Sequence, residues 1–245
     1  MKIEVLDAAG KVVGTVPSTK RRGLSRVRWS MRLKPPKVPP AASAAFGAAY
    51  GPRVLPGTYT VKMTKDDKVY TLPLQLVPDP RTTHTLADRR SQFALATRLV
   101  TLLGDMSFAV ERMNGVRSGL ADRAAKLPAA DPLAQRLRDA SAAADLLRKK
   151  IVATKEGGMI TGEERLRENL ADLYSAVVFY DGRPSQMQLD RTDAIGRELS
   201  DVVAAFDAWS GKDLAALNTE LGAKKLQPIV LIDRKAWEEE GKAVQ

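Results

Sequence analysis

The chain has 245 residues, 44% apolar and 28% charged, with a formal net charge of +10, a balance that suits one large or two modest soluble domains. It has no cysteine, which excludes disulfides, thiol catalysis and zinc sites of the Cys type. The charge is uneven: residues 1–80 hold 14 Lys/Arg against 5 Asp/Glu, or +9, and residues 81–245 hold 25 against 24, or +1.

Ile3, Val5 and Leu6 before Asp7-Ala8-Ala9-Gly10, with Val12, Val13 and Val16 after it, predict a hairpin. RVRWSMRL then alternates. Val27, Trp29, Met31 and Leu33 fall on one face and Arg26, Arg28, Ser30 and Arg32 on the other, which predicts a strand with Trp29 as a core anchor. Residues 34–56 are rich in Pro, Ala and Gly and predict a long loop, in which Phe46 and Tyr50 either tie the chain down or meet a partner. TYTVKMT turns Tyr59, Val61 and Met63 inward, and Asp66-Asp67-Lys68 reverses the chain. VYTLPLQLV returns with Tyr70, Leu72, Leu74 and Leu76 inward, and Pro73 within it predicts an edge strand. Some five strands over residues 1–80 predict a small antiparallel immunoglobulin-like β-sandwich.

Helix signals follow Pro80. Phe93, Ala96, Val100, Leu103, Val110, Met113, Leu120 and Leu127 lie near a 3.6-residue period, with Gly104, Gly115 and Gly119 as candidate bends. Asp131-Pro132 predicts an N-cap with Pro at the first helical position. Leu133, Leu137, Ala140, Ala144, Leu147 and Ile151 then step by four and three, and Glu156-Gly157-Gly158 closes that helix. Thr161-x-x-Glu164 and Ser185-x-x-Gln188 read as capping boxes for two more helices. Ile195, Leu199, Val202, Phe206 and Trp209 carry the last stripe. Lys212–Leu221 predicts a short extra helix, Pro228–Ile232 an extended segment, and Trp237 a docked point in a frayed tail. The expected architecture is α+β and multidomain: a sandwich over 1–80, then an up-down antiparallel four-helix bundle over 81–245 with a short extended tail.

GLSRVRWSMR, GPRVLPGTYTVKMT, the hairpin into PLQLVPDPR, ENLADLYSAV and DGRPSQMQ together resemble the C-terminal region of bacterial BNR-repeat proteins, the sortilin-like or glycosyl-hydrolase-like relatives of sialidase-type β-propellers. The likeness covers most of the chain, and its most specific parts are the PGTYTV hairpin and the DPR junction. Where the family has a Trp-Asp pair, this chain has Trp29-Ser30. The resemblance implies an exported protein, periplasmic or extracellular, in which an immunoglobulin-like module and a helical bundle follow a propeller. The start, MKIEVLDAAGKVVG, has no apolar run of signal-peptide length.

Chemistry is sparse. A glycosidase needs two carboxylates roughly 5–10 Å apart, and the first 80 residues offer only Glu4, Asp7, Asp66, Asp67 and Asp79, mostly in turns. His84 is the only histidine, so a His-based triad or a Glu-x-x-His di-iron site has no support. Tyr174, Phe179 and Tyr180 read as core. No cofactor or metal is expected, and no stretch is read as reaching the roughly 20 apolar residues of a membrane span. The leading expectation is a non-catalytic interaction module, the C-terminal part of or partner to an exported β-propeller protein. Its interaction face is Arg21, Arg22, Arg26, Arg28 and Arg32 with Phe46 and Tyr50, and Asp79, Pro80 and Arg81 form the interdomain junction. The alternatives are part of a hydrolase whose active site lies on a propeller, and an anion or nucleic-acid binder using the basic half. A heptad-like stripe left partly uncovered also predicts self-association.

Overall fold

A computed structural model describes residues 1–18, 23–155 and 162–243. The protein is α+β, with a four-stranded antiparallel sheet and a set of helices. Two compact units are interleaved along the chain. One comprises Met1–Pro36, Phe46–Thr101 and Leu173–Leu189, the other Lys37–Ala45, Leu102–Asp172 and Asp190–Gln245.

The first unit is built on the strands β1 (Lys2–Leu6), β2 (Val12–Val16), β3 (Gly57–Lys65) and β4 (Lys68–Leu76), in the order β2-β1-β3-β4. Asp7 closes the first hairpin, its Oδ1 accepting from the N–H groups of Ala9 and Lys11, and Gly10 supplies the positive φ of 78°. Register sets the faces. Ile3 opposes Val16 and Met63, Val5 opposes Val61, and Tyr59, Val61 and Met63 oppose Leu74, Leu72 and Tyr70. Directly opposed residues share a face, so this face is continuously apolar, while Glu4, Thr60, Lys62 and Thr64 line the other.

RVRWSMRL is not a strand. Only Arg32 pairs, in a single antiparallel bridge to Arg53, and Met31 has a left-handed φ of 57° that breaks extension. The segment instead lies over the sheet as one cover. Trp29 and Leu33 pack with Val54 on the core of Ile3, Val5, Val16 and Tyr59, while Val27 and Met31 are exposed. Trp29 meets Tyr59 edge-on at 5.3 Å, and a Cβ at Gly14 would come within 2.5 Å of its indole Nε1, so β2 must carry glycine there. Of the four residues expected on the core face only Trp29 and Leu33 pack inward, and such partial burial does not require a pairing strand.

Tyr70, Leu72 and Leu74 are not inward. They are 51%, 66% and 37% exposed, because the cover ends over β3. Pro73 does sit on an edge strand. With Lys65 and Lys68 closing a two-residue turn, alternate residues of β4 aim their N–H groups at β3. Pro73 falls among those that face away, so its missing donor breaks no ladder bond.

The unit's helical parts come from α1 (Leu86–Ala125, here to Thr101), the end of α3 (Leu166–Val178) and the first turn of α4 (Gln186–Trp209). Leu95, Ala96, Leu99, Tyr174, Val177 and Val178 are buried, and Gln92 donates to the Val177 carbonyl at 2.6 Å. Tyr174 donates to the Tyr50 carbonyl at 2.6 Å, and burial pushes its phenol pKa well up. Phe179 and Tyr180, by contrast, are about half exposed (51% and 50%), which corrects their assignment to the core.

In the second unit α1 continues to Ala125 and is joined by α2 (Pro132–Ile151) and the rest of α3 and α4. α4 passes through one π-helical turn, Ser210–Leu214, directly into α5 (Ala215–Ala223), so the extra helix expected after Lys212 is a continuation. The short α6 (Arg234–Ala243) ends the described chain. Met106, Val110, Met113, Leu120, Leu137, Ile151, Leu170, Ile195 and Phe206 form the core. Asp131 caps α2 through the Leu133 N–H at 2.9 Å, and Ser185 with Gln188 forms the reciprocal box that opens α4. Thr161 and the Glu156-Gly157-Gly158 stop lie outside the described residues. Ile229 in the segment after α5 packs on Gly119 of α1, and Trp237 of α6 stacks with Phe108.

None of Gly104, Gly115 and Gly119 interrupts α1, which is helical throughout. Between Arg90 and Glu111 the only charges are Arg98 and Asp105, and by length and composition α1 can cross a membrane, contrary to expectation. In its most apolar window, 44% is buried inside the protein.

Segment Lys37–Ala45 is held in the second unit by a buried ion pair. Arg167 donates to the carbonyls of Pro39 (3.2 Å) and Ser43 (2.8 Å) and pairs with Glu168 at 3.0 Å, and the Ser43 hydroxyl donates to Glu168 at 2.9 Å. Removing one member leaves an uncompensated buried charge, so Arg167→Ala should cost about 3–5 kcal/mol in chemical denaturation. Glu163 accepts from the Thr154 N–H at 2.9 Å and pairs with Arg165, which holds its carboxyl pKa near about 2 against 4.5. A depressed folded-state pKa gives stability that is present above pH about 4.5 and lost as pH falls toward about 2. Glu163→Gln should flatten that part of the stability profile and leave the rest unchanged.

Candidate functional site

Two features of the first unit stand out, an uncovered strip of sheet and a cleft lined by arginines. The strip is the apolar row Tyr70, Leu72 and Leu74 of β4, continuous through register with the buried Tyr59 and the half-buried Val61 and Met63. Exposed apolar rows joined to a core are unusual on a free surface. Pro73 removes a donor from the middle of the open edge, which hinders addition of another strand. What β4 offers is therefore its side-chain face more than its backbone.

The cleft has a volume of about 490 Å³. Its floor is the crossing of residues 31–33 and 52–54, tied by Leu33 N–H to Pro52 O and Val54 N–H to Met31 O, both 2.9 Å. The two chains approach so closely that a Cβ on Gly51 would stand 2.0 Å from the Leu33 carbonyl oxygen. The bridge places Arg32 and Arg53 directly opposite each other, an arrangement of like charges that is unfavourable by itself. Burial and the Arg53 guanidinium together pull the Arg32 pKa down. Arg32 donates to the Gly51 carbonyl at 2.8 Å, and its guanidinium lies 5.6 Å and 5.5 Å from the ring centres of Tyr50 and Phe179.

Arg89, in the first turn of α1, completes the group. Its side chain is only 11% exposed, and it donates to Gln92, itself fixed by Val177. Desolvation lowers its pKa, against the pull of Asp181. Asp181 faces the arginines with Oδ2 at 2.5 Å from Arg53 and Oδ1 at 3.5 Å from Arg89. Thr85 and Asp88 form a capping box at the same helix start.

The residues expected to act fall in different places. Arg26 and Arg28 are exposed on the irregular stretch before Met31. Arg32, expected beside them, turns instead into the cleft. Arg21 and Arg22 lie outside the described residues, as does the side chain of Phe46, whose backbone starts a short 3₁₀ turn, Phe46–Ala49. Tyr50 is half exposed and meets Phe179 edge-on at 5.6 Å. Asp79 and Arg81 pair with each other in a two-pronged contact of 3.0 and 2.7 Å after Pro78. His84 is half-buried with its ring 5.4 Å from that of Tyr180.

Arg53, Arg89 and Asp181 as a group were missed by sequence reasoning. They come from a loop, a helix start and a turn, separated by dozens of residues, and no spacing rule joins them. Among the described residues no three His, Asp or Glu side chains gather as a metal site. No family model, no curated protein and no solved structure matches this chain.

Proposed function

We propose that this chain is a non-catalytic interaction module that docks on a β-propeller domain, either following that domain as the C-terminal part of one exported protein or made separately. The observation that carries this reading is the uncovered row Tyr70, Leu72 and Leu74 on the core face of the sheet. A sandwich of immunoglobulin type would cover that row with a second sheet. Here the apolar surface of a partner would complete it. The helices would form the accompanying four-helix bundle, and α1 is read as a core helix because Leu95, Leu99, Leu103, Met106 and Val110 are buried along one stripe.

Charge favours an unlike partner. The +9 of residues 1–80, with Arg26 and Arg28 exposed beside the cover, opposes a second copy of the same face and suits an acidic rim. A hydrolase with its active site on the propeller would be served by the same docking.

Titration calorimetry of the purified chain against the β-propeller polypeptide encoded in frame with it or beside it tests this. Saturable binding is expected, weakened about tenfold or more by Leu72→Glu, a change at a 66% exposed position that leaves folding intact. Unchanged binding in Leu72→Glu, absence of binding, or dimerisation of the chain through β4 contradicts the proposal.

A further inference from the structure

The arginine cleft has a chemistry of its own, independent of any propeller. Its lining holds Arg32, Arg53 and Arg89 against Asp79 and Asp181. Asp79 is occupied by Arg81, which contacts both of its carboxylate oxygens. One carboxylate, Asp181, is left against Arg53 and Arg89, with Arg32 opposite Arg53 in the bridge, a local excess of two positive charges. A guanidinium has five N–H donors. Among the described residues Arg32 gives one to Gly51, Arg53 one to Asp181 and Arg89 one to Gln92. Donors and charge are both in surplus, inside a cavity of about 490 Å³, within the range of small-molecule sites.

We infer that this cleft binds an organic monocarboxylate with a short apolar body, its carboxylate held by Arg53, Arg89 and Arg32. Asp181 shows the fit, because its own carboxylate already bridges Arg53 and Arg89. Planar guanidinium forks match a carboxylate in two-point contacts. Part of the remaining wall is apolar, formed by Met31, Val54, Pro56, Leu76 and Leu86, beside the polar Thr82, His84 and Thr85. The apolar residues would take an alkyl or aryl body, whereas inorganic phosphate, whatever it gains from the surplus charge, would leave those walls unused. The site is preformed. Met31 is held in a left-handed conformation by the bridge, and Gln92 fixes Arg89 from behind. Backbone strain that the surroundings hold in place is a recurrent feature of ligand clamps.

Octanoate, octanol and inorganic phosphate, each titrated at constant ionic strength into the ¹⁵N-labelled chain, test the site. Octanoate should shift amides of residues 30–32, 53–56, 76–89 and 181 saturably, with octanol and phosphate weaker by about tenfold or more. Arg53→Gln should weaken octanoate binding by about tenfold, at a half-exposed position whose loss the fold tolerates. Asp181→Asn removes the competing carboxylate and should strengthen octanoate binding several-fold, although it takes a partner from two arginines. A purely structural role for the cluster would give the opposite sign or no change. Equal binding of octanol or phosphate, shifts centred on Tyr70–Leu74, or weaker binding in Asp181→Asn would overturn the assignment. None of these outcomes bears on docking to a propeller, which is read separately at Leu72.

Discussion

A four-stranded sheet with one apolar face must have that face covered, and here the irregular segment of Trp29 and Leu33, with Val54 from the chain it crosses, does the covering. Trp29, Leu33 and Val54 reach across β1, β2 and β3 and close a core over Ile3, Val5, Val16 and Tyr59. The cover stops over β3 and does not reach β4. The shortfall lands on β4, where Tyr70, Leu72 and Leu74 continue the apolar face into solvent. Each buried side chain of this size is worth about 1.5–3 kcal/mol relative to exposure, so a partner that covers the row recovers a gain the isolated unit forgoes.

The same crossing generates the cleft. Residues 31–33 can meet residues 52–54 only where Gly51 lets two backbones touch, and Met31 takes a left-handed turn as the segment enters. That turn removes Arg32 from the solvent face it would occupy in a regular strand. It sets Arg32 opposite Arg53, and Asp181 and Arg89 then balance part of the charge. Leu76 belongs to both features, since it ends the apolar row and lines the cleft. Cover, open row and charged cleft are thus three results of one chain crossing.

Much of the helical half was legible because its signals are local. Asp131-Pro132 and Ser185-x-x-Gln188 cap helices where they were read, and Leu133, Leu137, Ala144 and Ile151 are buried as their spacing requires. The glycines of α1 were weak punctuation, since burial along the whole helix outweighs roughly 1 kcal/mol of propensity at each. In the β half, alternation at Tyr70–Leu76 marked the apolar face of β4, whereas at Val27–Leu33 only Trp29 and Leu33 turned out to pack inward. It could not say whether a strand pairs or whether anything lies over it, because both depend on residues far away in sequence. Phe179 and Tyr180 failed for a related reason: the stripe of α3 ends at Val178, and the turn beyond it leads outward. The cleft was illegible for the strongest version of that reason, as positions 32, 53, 89 and 181 meet only in the folded unit.

Hydroxyl-radical footprinting of the chain, alone and mixed with the β-propeller polypeptide, addresses the open row most directly. Tyr70, Leu72 and Leu74 should react readily in the free chain and become protected in the mixture, while the exposed Met187 and Val230 (75% and 81%) keep their reactivity. If Tyr70, Leu72 and Leu74 are already protected in the free chain, or remain reactive in a mixture that forms a complex, the uncovered sheet face is not where a partner sits.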